Sequence, residues 1–399
     1  MAVIYKKLGE IADISSGGTP KRTNPAYWKN GNIPWVKISD IKGKYLEKTE
    51  EFITEEGLNN SSAKLFKKGT LLYTIFATIG ECAILNIDAS TNQAIAGINV
   101  KSEKVLNEYL YYFLKSIKNT VVNTGRGVAQ NNINLSILKN IDVPLPEIEV
   151  QNRIINLLNK SNELVKKCKA QIEALDQLTQ SVFLEMFGDP YKNPKNWPVG
   201  TIKDITLKTQ YGTSKKASEN KGKYPILRMG NITYNGFLDF NDMKYIDLDD
   251  SEAEKYLVHK GDLLFNRTNS KELVGKTAVY REELPMAYAG YLVKLVPNEK
   301  ANSEFISGFL NSKYGKTLLY SMAKNIVGMA NINAEELKRI KIYIPPRDLQ
   351  DKFASIISNI LERRELLNKG LKLLEENYNS LMQRAFKGEL FTEEKVSNL

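Results

Sequence analysis

The sequence predicts an α+β protein: two strand-rich, mixed α/β domains joined by two long, antiparallel, coiled-coil-like helices, with an internal pseudo-two-fold. Three observations predict it. A passage that leads into a long helix occurs twice at one fixed offset. The two stretches that follow it carry a heptad seam. The remaining regions break into short β-branched or aromatic runs separated by Gly and Asn.

The repeated passage is "GVAQNNINLSILKNIDVPLP", Gly127 to Pro146, which returns as "VGMANINAEELKRIKIYIPP", Val327 to Pro346. Setting Asn134 on Asn333 gives an offset of 199, which carries Leu138 onto Leu337, Ile141 onto Ile340 and Gln151 onto Gln350. The register holds without a gap from Ile133 to Phe187. Asn134 and Asn333 read as helix caps or turn residues.

After Pro146 no Pro or Gly occurs until Gly188. Spacings of four and three alternate along Ile154, Leu158, Ser161, Val165, Cys168, Ile172, Leu175, Thr179, Val182 and Met186. The second copy gives Phe353, Ile357, Ile360, Arg364, Leu367, Leu371, Leu374, Tyr378, Leu381 and Ala385. Such a seam is narrow and apolar and wants a partner, and the obvious partner is the other copy. Each helix would be about 60 Å long at 1.5 Å per residue. With a globular part at the start of each helix, the helices must run in opposite directions.

The globular parts echo one another as well. "GGTP" (Gly17 to Pro20) parallels "YGTS" (Tyr211 to Ser214), and "IPWVKISDI" (Ile33 to Ile41) parallels "YPILRMGNI" (Tyr224 to Ile232). "KKGTLLYT" (Lys67 to Thr74) parallels "HKGDLLFN" (His259 to Asn266), and "IGECAI" (Ile79 to Ile84) parallels "VGKTAV" (Val274 to Val279). These runs read as strands, with short helices near 107–118 and 303–321. The expected domains are 1–147 and 188–346, with helices at 148–187 and 347–399.

Composition sets the outer bounds. A chain of 399 residues suggests two or three domains, and no apolar run approaches the ~20 residues of a membrane span. The opening "MAVIYKKLGE" turns charged too early for a signal peptide, so a cytoplasmic protein is expected. Two cysteines, Cys82 and Cys168, make no disulfide framework or metal motif. A net charge of +10 raises the prospect of a polyanionic partner without deciding it.

Catalytic constellations are not evident. "SKELVGKT" (Ser270 to Thr277) nearly spells a phosphate-binding loop, but Ser270 replaces the first Gly and "TAVY" reads as strand. A second "GKT" at Gly315 to Thr317 has Leu310 at the first-Gly position. "NPAY" (Asn24 to Tyr27) stands without a cofactor-binding βα turn. His259, the only histidine, sits beside "KGD" at a turn signal, so no histidine-based triad or zinc site is expected.

The chain resembles the DNA-specificity subunits of type I restriction-modification enzymes. The resemblance rests on "GGTPKRTNPAYWKNGNIPWVKISDI", on "GDLLFNRTNSKELVGKTAVY" and on both copies of the Asn-Ile-Asn passage, and covers nearly the whole chain. It implies two target-recognition domains, each reading one half of a split, asymmetric site in double-stranded DNA, with the helices as spacers. It also implies a chain without a catalytic site. Two methyltransferase subunits would dock on it and use S-adenosylmethionine, and motor-nuclease restriction subunits would join with ATP and Mg. Helices of ~60 Å can hold two modules one to two turns of duplex apart, at ~34 Å per turn. Rival readings are an accessory DNA-binding regulator and an ATPase or nuclease in its own right.

For DNA contact, three groups stand out. Thr19, Lys21 and Arg22, with Tyr211, Thr213, Lys215 and Lys216 in the second domain, are small hydroxyls and cations beside glycines, suited to phosphates. Lys37, Ser39 and Asp40 form the second group with their counterparts Arg228, Gly230 and Asn231, and Arg and Asn can pair with guanine and adenine edges. The stretch Asn266, Arg267, Thr268, Asn269, Ser270, Lys271 is polar where its counterpart "TIFATI" (Thr74 to Ile79) is apolar, a contrast that suits unlike half-sites. Arg126, Gln130 and Asn131 remain open between contact and loop.

Overall fold

The computed structural model of the chain describes residues 4–125, 133–326 and 329–390. It divides into two compact units, one of residues 1–167 with 371–399 and the other of residues 168–370. Four helices organise them: α1 (Asn107–Ser116), α2 (Ile148–Phe187), α3 (Ser303–Asn311) and α4 (Arg347–Phe386). The division falls inside both 40-residue helices, α2 and α4.

In the first unit a five-stranded sheet runs in the order Ala12–Ser16, Ile95–Val100, Leu71–Thr74, Cys82–Leu85, Tyr45–Leu46. A four-stranded sheet runs Glu51–Ile53, Ile33–Val36, Ala89–Thr91, Leu65–Phe66, with its middle pair parallel. The second unit repeats this order except for the Tyr45–Leu46 strand, which has no counterpart among its described residues. One of its sheets is Thr206–Tyr211, Leu292–Pro297, Leu263–Asn266, Thr277–Val279, and the other is Lys244–Ile246, Tyr224–Leu227, Met286–Tyr288, Leu257–Val258, again with a parallel middle pair. Among the described residues the second unit alone carries a ribbon of Thr268–Asn269, Met329–Asn331 and Lys324–Ile326.

Turn chemistry repeats along with strand order. Gly69 and Gly261 precede equivalent strands with φ of 92° and 93°, and Gly80 and Gly275 follow with 90° and 86°. Only glycine reaches this region without steric penalty, so these four positions fix the corners of both sheets.

The duplicated passage works alike in both units. Asn134 Oδ1 accepts from Ile137 N at 2.9 Å and Asn333 Oδ1 from Glu336 N at 2.9 Å, each capping a short helix. Leu138 and Leu337 are fully buried beneath it. The strand that follows pairs with the opening strand of its own unit, Asp142–Leu145 with Ile4–Lys7 and Lys341–Tyr343 with Val199–Thr201. Gln151, on the first turn of α2, is wholly buried. Its Nε2 donates to Lys104 O (2.8 Å) and Pro146 O (2.9 Å), and its Oε1 accepts from Leu106 N (3.0 Å), the residue that caps α1. Gln350 repeats all three bonds with Lys300 O (3.1 Å), Pro345 O (2.8 Å) and Asn302 N (2.9 Å), the cap of α3. The passage is present twice because each domain is bolted to the start of its own long helix.

Every position of both seams is buried or half-buried. In the first unit Ile154, Leu158 and Val165 share a core with Tyr109, Tyr112, Tyr378, Met382 and Ala385, and Leu371, Leu374 and Leu381 pack against it. In the second, Phe353, Ile357 and Ile360 share a core with Phe183 and Phe187, joined by Leu175 and Val182. Cys168 Sγ lies 3.4 Å from Leu367 O, Asp176 pairs with Arg364 at 2.7 Å, and the Phe187 and Phe353 rings are 5.3 Å apart. Residue numbers rise along one helix as they fall along the other, so the pairing in this unit is antiparallel. Ile172 and Leu367 are half-buried on the same seam.

Candidate nucleic-acid interface

In the first unit Arg22, among the sequence-predicted residues, lies against two tryptophans. Arg22 lies over the Trp28 ring at 3.7 Å and the Trp35 ring at 4.7 Å, and the two indoles meet edge to face at 5.0 Å. The fold sets this up locally: Asn24 caps the turn Pro25–Tyr27, which carries Trp28, while Trp35 is anchored by Nε1 to Gly18 O at 3.0 Å. Arg22 also pairs with Glu51. Lys37 reaches Glu51 at 2.9 Å and Glu50 at 3.1 Å. Burial works to raise the Glu51 carboxyl, but its bonds to Arg22 and Lys37 hold it below the ordinary glutamate value. Lys37 is held above the ordinary lysine value by its bond to Glu51 and then Glu50.

The other predicted residues of this unit divide into tied and free. Asp40 Oδ2 accepts from Lys37 N at 2.8 Å and so closes its own turn. Thr19 bonds the Gln93 side chain, and Lys21 O accepts from Trp28 Nε1 at 3.3 Å while its ammonium is exposed. Ser39 is exposed at the tip of the turn. Arg126, Gln130 and Asn131 lie outside the described residues.

The second unit keeps cations at the matching places and ties two of them to other acids. Arg228 donates to Asp242 through both the backbone O (2.7 Å) and Oδ2 (2.8 Å). Asn231 is buried and structural, with Oδ1 on Arg228 N (2.9 Å) and Nδ2 on Asp239 O (2.8 Å). Lys215 pairs with Glu252 at 2.5 Å, and Thr213 is buried with its hydroxyl on Lys215 N at 3.1 Å. Lys216 is exposed and has no ion-pair partner among the described residues.

The stretch from Asn266 onward is where this unit offers unspent polar capacity. Asn266 is wholly buried, donates to Met229 O at 3.3 Å, and its Oδ1 has no partner among the described residues. Arg267 stacks over the Tyr211 ring at 5.0 Å and reaches Gly290 O at 3.4 Å. It faces no carboxylate among the described residues, and its Nε is likewise without a partner. The Tyr211 hydroxyl is held by Ala334 N at 3.0 Å, which fixes the ring beneath the guanidinium. Thr268 accepts from Asn331 Nδ2 at 2.7 Å, Asn269 caps Ser270 N at 2.9 Å, and Lys271 lies over the Tyr320 ring at 4.7 Å. The structure thus brings Tyr211, Asn266 and Arg267 together beside the turn that Arg228 begins.

Sequence reasoning saw the cations and missed their partners. Nothing local ties Glu51 to Arg22 or Asp242 to Arg228; loop packing does. It also missed Trp28 and Trp35 as stacking platforms, although "AYW" and "PW" are aromatic signals beside a cation.

The "SKELVGKT" loop spends its N–H groups internally, Val274 N on Ser270 O (2.9 Å) and Gly275 N on Asn266 O (2.8 Å), and leads into a strand. It therefore lacks the backbone cradle of a phosphate-binding loop. Among the described residues no three His, Cys, Asp or Glu side chains could share a metal ion. Burial pushes the Cys82 thiol far up, away from reactivity. No helix among the described residues is long and apolar enough to cross a membrane.

Comparison with known proteins matches this architecture throughout. Residues 3–174 and 194–376 match the type I restriction modification DNA specificity domain. The chain is 26% identical to the MjaIX type I restriction enzyme specificity subunit of Methanocaldococcus jannaschii, over 98% of this chain and 94% of that one. It is 21% identical to the EcoKI specificity subunit of Escherichia coli K12, over 99% and 90%. Among solved structures, the type I restriction-modification S subunit of M. genitalium shares the fold with a TM-score of 0.54 at 16% identity, covering 97% of this chain and 96% of that one. A chain solved in work on assembly and conformational transition of the type I R-M system gives 0.61 at 16% identity, covering 98% and 100%. With two strand-rich units of one topology, two seamed helices and a family match over most of its length, the chain belongs to the type I restriction-modification DNA specificity family, as a recognition subunit and not a catalytic one.

Proposed function

We propose that each unit reads one half of a split, asymmetric site in double-stranded DNA, and that α2 and α4 fix the spacing between the halves. The observation that carries this reading is the contrast between framework and loops. The units share strand order and corner glycines, yet Arg22 and Lys37 are locked in a carboxylate network while Arg267 is stacked on Tyr211 and faces no carboxylate among the described residues. One framework with unlike surfaces suits one duplex with unlike half-sequences. Paired helices hold a separation better than a flexible linker, whose reach would vary.

The outward faces of α2 and α4 are rich in Lys and Glu, as in the pairs Lys167–Glu163 and Lys369–Glu365. Such faces suit docking to other helices, and two methyltransferase subunits are the proposed occupants, with motor-nuclease subunits joining them. S-adenosylmethionine, ATP and Mg would then be held by those partners. The reading is tested by producing the chain with its methyltransferase subunits and sequencing methylated adenines. A two-part motif with a constant gap is the expected result. Methylation without a constant gap, or failure of the methyltransferase to co-purify, contradicts it and favours a stand-alone DNA-binding regulator.

A further inference from the structure

The two Gly-Lys segments that fail as phosphate-binding loops meet at one cavity of the second unit. It has a volume of about 350 Å³ and takes Lys271 and Lys276 from one segment and Lys316 from the other, with Tyr234 and Tyr320 on its walls. None of the three lysines has an ion-pair partner among the described residues. Lys276 Nζ donates to Met229 O (2.9 Å) and Lys316 Nζ to Tyr234 O (2.6 Å), which leaves further N–H groups on each for a ligand. Lys316 sits 3.4 Å from the centre of the Tyr234 ring and Lys271 lies over Tyr320. Glu272, exposed, is the one acidic side chain among the lining residues.

The first unit supplies an internal control. Its counterpart of Lys276 is Glu81, which follows Gly80 as Lys276 follows Gly275. Glu81 pairs with Lys118 at 2.5 Å, so that unit neutralises the position from within. The second unit reverses the charge and, among the described residues, provides no ion-pair partner for Lys276. Half-buried cations without a partner are unfavourable, and the penalty is relieved when an anion enters. Burial alone pushes Lys276 down, and Lys316 down to about 8.

We propose that this cavity is an anion site for a phosphate ester, gripped by the ammonium groups of Lys271, Lys276 and Lys316 and flanked by Tyr234 and Tyr320. The phosphate comes either from the backbone of the bound duplex or from a free phosphate ester. Side-chain charge does the binding here, since the loop amides are already committed. The site goes beyond the half-site reading, because its charge and shape stand without it.

Site-resolved lysine labelling of the full chain, read by peptide mass spectrometry, tests the site with inorganic pyrophosphate and with duplex DNA as probes. Labelling at Lys276 and Lys316 should fall several-fold with a phosphate-bearing probe, while Lys167, paired on the helix surface, stays unchanged with pyrophosphate. Lys276→Glu, which restores the first unit's charge, should abolish the protection of Lys316. Protection by duplex, with the slope of log affinity against log salt reduced by about 0.9 in Lys276→Gln, assigns the phosphate to the DNA backbone. Protection by pyrophosphate alone assigns it to a free ester. Unchanged labelling with both probes, or undiminished protection in Lys276→Glu, overturns the site. If Lys276→Glu does not fold, Lys271→Gln carries the same comparison. The pyrophosphate arm involves no duplex, so loss of the site and loss of the half-site reading are distinguishable.

Discussion

Arg228 and Arg267 carry the same guanidinium into opposite circumstances. Arg228 must leave two bonds to Asp242 before it can meet a base, whereas Arg267 is stacked on a fixed tyrosine and has only the Gly290 carbonyl as a side-chain hydrogen-bond partner among the described residues. Arg267→Ala is therefore expected to weaken duplex binding by about 1–3 kcal/mol and to relax preference in one half-site only. Arg228→Ala should cost less. Filter binding with duplexes altered in each half separately checks this, and a loss shared evenly by both halves contradicts it. The Arg22–Glu51–Lys37 network makes a second prediction. Because the Glu51 value is lowered in the folded chain, its stabilisation is complete above the unfolded glutamate value and disappears as pH falls through the folded one. The difference in Tm between the native chain and Glu51→Gln should narrow as pH drops through that window; a constant difference speaks against the network. At this scale the sequence disclosed where the loop cations lie and concealed which were already engaged. Spacing beside glycines reveals a cation, but Glu252 reaches Lys215 and Asp242 reaches Arg228 only once the loops have packed.

The long helices were the most legible elements, because a seam of alternating fours and threes and the offset between Gln151 and Gln350 stand in the residue order itself. What the seam did not reveal is how wide the buried face becomes near the helix ends. Phe183 and Phe187 are fully buried, and their rings pack with Phe305 and Phe353. A heptad pattern describes contact with one helix, and here a whole domain leans on the same turn. Phe187→Ala should accordingly destabilise the second unit by about 3–5 kcal/mol in chemical denaturation, as expected for a large core aromatic. Gln151→Ala should destabilise the first unit by about 1–3 kcal/mol, since it leaves the part-buried Leu106 amide without its acceptor. Hydrogen exchange should then quicken at Leu106 and not at Asn302, whose acceptor is Gln350. Equal quickening at both amides would mean that the two anchors do not act separately.

For the whole molecule the helices are the proposed ruler. Seven residues inserted after Lys169, with seven matching residues in α4, keep the seam in phase and add about 10 Å of helix. The gap in the methylated motif should lengthen by a few base pairs, and an unchanged gap would remove the ruler. The partition of the chain carries a further consequence for biogenesis. The second unit is one continuous stretch, but the first closes only when Tyr378, Met382 and Ala385 come to lie in the core that holds Ile154 and Leu158. Those late residues leave the ribosome more than two hundred positions after their partners. The portion made earliest is thus the last to mature. In the meantime it must carry a greasy, half-dressed helix, which is where a chaperone would find its hold.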